Sequence, residues 1–244
     1  MFKNLIFISL KDEVLLLLNI KRCCVLLLIM DKKSIWHFSK KEKIDLIVSW
    51  IILSLAFSLV LLRFKLFGDL LGSQMPFETA VPIAFIAVGT GFVFHELAHR
   101  QAARHYGFHS EYRAWYPMLG MAVVFAFLTG WILAAPGATY FFGQNVTRKQ
   151  NGIISFAGPA INIILGFLFL IIGLLSYGSI FGTIIVSVAM INFFFAFFNL
   201  LPILMLDGSK VVAWDARVWI VGIAIAGVMS FFPELFISLL GFAF

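Results

Sequence analysis

Charge is what this sequence has least of. Only 12% of its 244 residues are Asp, Glu, Lys or Arg, too few to clothe a water-facing surface, and no stretch reads as a soluble domain. Cysteine is almost missing: Cys23 and Cys24 are adjacent and stand alone. Two neighbouring thiols cannot build a cysteine-rich zinc site and say little about redox compartment. The net charge of +6 is small and spread over short stretches, which excludes nucleic acid as a partner and fits loops drawn to anionic lipid. No low-complexity linker and no internal repeat interrupts the chain.

What remains is apolar. The residues are 62% hydrophobic and the mean hydropathy is +1.02, the mark of a chain that crosses a bilayer several times. Long apolar runs over 44–62, 80–106, 153–175, 183–198 and 218–232 predict membrane spans. Residues 1–29 form an uncertain amino-terminal extension. Their apolar runs are cut by Lys11, Asp12, Glu13, Lys21 and Arg22 and reach no spanning length. Met30 is the expected natural start, since a basic lead (Asp31, Lys32, Lys33, then Lys40, Lys41, Lys43) follows it directly. Residues 30–79 then hold this lead, the first span and an external loop, 80–215 the functional core, and 216–244 a last span.

The chemistry is concentrated in His95-Glu96-Leu97-Ala98-His99. Residues four apart on a helix share a face, so both histidines can offer a nitrogen to one metal ion. Glu96, beside the first of them, is placed to act as general base toward a water. Over residues 80–98 Glu96 is the sole charge, and ionisable groups at membrane depth are costly and usually functional. His105, in the last turn of the span, and His109, beyond it, read as surface histidines.

A third ligand has to come from elsewhere. Asp207 is the sole acid between Glu111 and Asp215 and follows an apolar run from Leu200. Taken alone it reads equally as a helix cap, because Asp-Gly-Ser is good capping text, or as the missing ligand; taken with the motif at His95–His99, the ligand reading wins. Pro202 unwinds the chain just before it, and Gly208 lets backbone approach closely. Asn199 precedes that unwound stretch with an amide able to meet a peptide backbone.

Three stretches together resemble the intramembrane site-2 protease family: His95-Glu96-Leu97-Ala98-His99, Gly158-Pro159-Ala160-Ile161-Asn162, and Asn199-Leu200-Leu201-Pro202 with Leu206-Asp207-Gly208. They occur in the family's order over about residues 80–215, in a compact chain without room for a PDZ or nucleotide-binding domain. The resemblance implies that His95, His99 and Asp207 hold one zinc ion per chain and that Glu96 is catalytic. It also implies that Asn199 binds substrate and that Asn162 acts near the site. The implied activity is intramembrane endoproteolysis. Its partner is a membrane protein substrate whose transmembrane helix unwinds locally, because helical carbonyls are engaged until it does. A transporter, or a membrane protein that binds metal without catalysis, is the competing class; a transporter would favour paired inverted repeats, which are absent.

The expected fold is an α-helical polytopic membrane protein of about five to six transmembrane helices. Between the two metal-ligand regions it carries a re-entrant or β-hairpin membrane element. This last expectation follows from parity. Basic residues after His99 and after Asp207 place both on one side, the cytoplasmic side of a cell membrane. Residues 107–152 must then cross an even number of times, so 117–143 dips in and returns, with 138–142 as a strand able to pair with substrate.

Overall fold

The computed structural model describes residues 37–63, 76–130, 132, 136–143, 145–176, 178–203 and 205–233. The amino-terminal extension, the expected start at Met30 and most of the loop after the first span lie outside these residues. Within them the protein is mainly helical, in the order α1 (Lys40–Arg63), α2 (Phe77–Val88), a π-helical turn (Gly89–Val93), α3 (Phe94–His105), β1 (His109–Ala114), α4 (Tyr116–Thr129), β2 (Gly137–Phe142), α5 (Arg148–Leu175), α6 (Ile180–Leu200), α7 (Asp207–Trp214) and α8 (Ala216–Phe231).

Among the described residues four helices are long and apolar enough to cross a membrane: α1, the continuous rod from α2 through α3, α5 and α6. The other two apolar helices, α4 and α8, have 14 and 16 residues. At 1.5 Å per residue they are only about 21–24 Å long, short of a hydrocarbon core about 30 Å thick. The run expected to span at 218–232 is thus, as far as it is described, one of these short helices.

Apolar packing joins the rods. Leu53, Phe57 and Leu61 of α1, Ile83, Ala87 and Val88 of α2, Leu119 of α4 and Ile191 of α6 form one buried cluster. Phe156, Leu200, Val211 and Val218 tie α5 to α6, α7 and α8 in another. Small residues set the approach distances: a side chain at Gly166 would strike the Phe193 ring, and one at Gly91 the Phe195 ring. Such contacts are the usual seams of helices packed in lipid.

The segment between α3 and α5 leaves and comes back. β1 and β2 pair antiparallel, His109 opposite Phe142 and Ala114 opposite Gly137, with α4 as the excursion between them. Strand 138–142 was expected; its partner β1 was not. The outer edge of β1 is closed by two buried carboxylates of α1. Glu42 accepts from the Tyr112 backbone N–H at 3.1 Å, and Asp45 accepts from that of Ala114 at 3.4 Å and from the Tyr116 hydroxyl at 2.6 Å. In an antiparallel pair, inward and outward backbone groups alternate. Tyr112 faces outward on β1, so its partner Thr139 faces outward on β2, and Phe141 with it. Among the described residues the sheet has two strands, and this β2 edge is unpaired.

Buried charge fastens the assembly. Arg100, 1% exposed, meets Glu42, fully buried, at 2.7 Å. Its guanidinium also donates to His37 O at 2.6 Å and lies 4.1 Å from the centre of the Phe38 ring. The residue after His99 is thereby bolted to the first helix.

Candidate metal centre

His95 and His99 stand on consecutive turns of α3, just after the π-helical turn. That turn is stabilised by side chains. Thr90 Oγ1 donates to Ile86 O at 2.7 Å, and buried Asn192 of α6 donates to Thr90 Oγ1 at 3.2 Å. Single π turns recur beside functional sites, and here one leads directly into the motif.

The two Nε2 atoms are 2.9 Å apart. Asp207 Oδ2 approaches them at 3.3 Å (His95) and 3.0 Å (His99). Asp207 is the first residue of α7, whose N-cap position is Leu206 without a side-chain capping bond. Its carboxylate meets the two imidazoles and caps no helix end. What brings it there is close backbone packing, for a side chain on Gly208 would collide with the Leu200 and Leu201 carbonyls that end α6.

His95, His99 and Asp207 are the one group of three or more potential ligands gathered among the described residues, their ligand atoms within 4.8 Å of one another. Their other atoms are set for that task. His99 Nδ1 lies 2.8 Å from Ile154 O; donation there leaves Nε2 as a lone-pair ligand. His95 Nδ1 lies 3.3 Å from the side-chain amide of Asn162, which is fully buried and whose Oδ1 has no other partner. Turned so that oxygen faces the ring, this amide accepts from Nδ1–H and likewise frees Nε2. Two lone pairs 2.9 Å apart repel unless a cation lies between them. Room is kept for one: a Cβ at Gly158 would lie 2.5 Å from His99 Nε2 and 2.6 Å from His95 Nε2. The residues fit a metal with three protein ligands, the count of catalytic zinc sites.

A curated protein of Methanocaldococcus jannaschii, named "Putative zinc metalloprotease", is 40% identical to this chain over 200 residues, which are 81% of this chain and 97% of the relative. The chain belongs to that zinc metalloprotease family. No protein-family model matches it, and no solved structure does. For a zinc metalloprotease the donor set is apt, two neutral imidazoles and a carboxylate, both classes being good zinc ligands.

The remaining candidates fall as follows. Glu96, 9% exposed, follows His95 directly, and its Oε2 accepts from Thr139 Oγ1 at 2.8 Å. Asn162 sits against the His95 ring, fully buried. Asn199 turns its amide back along α6 to Phe195 O at 2.9 Å, and among the described residues no contact joins it to the metal group. His109 is exposed beside Glu111 at 3.7 Å. Sequence reasoning missed Thr139 and Asn192. The one available signal was a lone polar side chain inside an apolar run.

Proposed function

We propose that this zinc metalloprotease is an intramembrane endopeptidase of the site-2 protease kind, cutting peptide bonds in or near transmembrane segments of membrane proteins in regulated intramembrane proteolysis. The observation that carries the reading is the meeting of His95, His99 and Asp207, with Glu96 next in sequence to His95, in a protein whose described helices include four long enough to cross a bilayer. Zinc, when bound by the three ligands, supplies Lewis acidity toward a water and a substrate carbonyl. The protein's own groups do the rest. Ile154 O and Asn162 hold the ligand imidazoles in the metal-binding tautomer. Glu96 takes a proton from the attacking water and returns it to the leaving amine. The outward edge of β2 at Thr139 and Phe141 receives the unwound substrate as an added strand. Asn199, at the end of α6 beside the unwound stretch before Asp207, offers a further amide to that strand.

The site faces the cytoplasmic side of the cell membrane in this reading, because Arg100, Arg104 and Lys210 follow the ligands. A transporter would use such a carboxylate as a proton relay and a metal-binding protein without catalysis would leave it idle, so cleavage is what separates both from the protease. The test uses the purified protein in detergent. Stoichiometric zinc together with chelator-sensitive cleavage of a transmembrane peptide supports the protease. Zinc without cleavage, under conditions where the protein is folded, overturns it.

A further inference from the structure

The Glu96 carboxylate is nearly buried, and its conformation is not left to chance. Thr139 Oγ1 lies 2.8 Å from Glu96 Oε2 and 3.1 Å from the Glu96 backbone oxygen. A hydroxyl has one hydrogen to give, and the charged, closer acceptor takes it. Among the described residues Thr139 is the one group that hydrogen bonds to this carboxylate, and it does so from 43 residues away, across the gap between β2 and α3. Oε1 is thereby left for water, while the side chain's rotation is fixed by the bond at Oε2.

The same residue has a second face. Strand alternation turns the Thr139 side chain toward α3 and its backbone N–H and C=O away from β1, along the unpaired edge. The residue across from it, Tyr112, is locked in turn: its N–H is held by Glu42 and its hydroxyl lies 2.9 Å from Ser49 Oγ. Gly137, two residues before, can take no side chain, which would strike the Tyr112 ring and the Arg113 carbonyl. These contacts hold the strand in its register, and that register puts the Thr139 hydroxyl on the base.

The geometry points to Thr139 as a positioning residue that aims the Glu96 carboxylate from the strand edge. This rests on the reading of Glu96 as general base and adds the group that orients it. The hydroxyl fixes where the base stands relative to a peptide lying on β2, so that strand edge and proton acceptor share a single point of attachment. The substitution that isolates the hydroxyl is Thr139→Val, which keeps the branched shape; Thr139→Ser keeps the hydroxyl and drops the methyl group.

Cleavage of a transmembrane peptide is measured for wild type, Glu96→Gln and both Thr139 variants, with zinc content determined for each. Removing a hydrogen bond to a charged group should lower kcat by about 10- to 100-fold in Thr139→Val. KM and zinc content should stay within about twofold of wild type, and Thr139→Ser should recover most of the turnover. Wild-type turnover in Thr139→Val, equal impairment of Val and Ser variants, or a loss confined to KM or to zinc content overturns the assignment. If Thr139→Val does not fold, Thr139→Ser against Thr139→Ala decides: recovery with Ser alone supports it and equal activity overturns it. A wild-type protein that binds zinc and cleaves nothing refutes instead the protease reading on which this one stands.

Discussion

Glu96 and the residues it touches define what single substitutions should do. Glu96→Gln preserves size and can still accept from Thr139, but an amide cannot take up a proton. Cleavage should fall by about 10²- to 10⁴-fold, the usual weight of a general base, while zinc stays bound. His95→Ala, His99→Ala and Asp207→Ala should each lose the metal. Metal analysis of the folded variants checks both statements, and a zinc-free Glu96→Gln protein contradicts the assigned roles. Gly158→Ala is a sharper probe, because it alters no ligand. Its methyl would sit 2.5–2.6 Å from both Nε2 atoms, so zinc affinity should drop while α5 stays helical by circular dichroism; unchanged affinity would show that the imidazoles can move aside. These residues were unequally legible. His95 and His99 were readable because four-residue spacing is local geometry. Asp207 could be read as a ligand only with the motif in view, since taken alone a cap and a ligand have the same text. Asn162 was placed near the site by resemblance alone, because its contact with His95 spans 67 residues. No periodicity encodes that.

Elements were legible where hydrophobicity alone builds them. The runs behind α1, α2–α3, α5 and α6 announce themselves, but their ends do not. α5 starts at Arg148, ahead of its apolar text, because Thr147 and Gln150 form a reciprocal capping box that lets a polar first turn be helical. β1 was invisible for a related reason. His109-Ser-Glu-Tyr-Arg-Ala has no apolar run of its own, and it is held as a strand by β2 on one side and by Glu42 and Asp45 on the other. This makes the buried Glu42–Arg100 pair testable. Removing one partner leaves the other charge buried and uncompensated, a loss of about 3–5 kcal/mol. Arg100→Leu and Glu42→Leu should each lower the thermal transition in detergent, and the double Leu variant should recover much of the loss. Single variants with unshifted transitions would show water reaching the pair.

For the whole molecule the sequence suggested five to six transmembrane helices. Four of the described helices are long enough to cross, with α4 and α8 shorter. Composition cannot separate a short apolar helix from a full crossing, since both present the same residues to lipid; only length and the return of the chain do. That return is visible in the pairing of His109 with Phe142, and it bears on topology. Cysteines introduced singly at Glu111 and at Lys149 should react with an impermeant thiol reagent from the same side of the membrane; labelling from opposite sides overturns the arrangement. The closed edge of β1 has one more outcome. A two-stranded sheet normally has two edges to offer, but here α1 has consumed one, so the hairpin has a valence of one. Peptide occupancy should saturate at one strand per chain, with unrelated extended peptides displacing one another from the same berth. A competitor N-methylated on the residues that donate to Thr139 and Phe141 should drop out of that contest, and its isomer methylated on the alternate residues should remain in it.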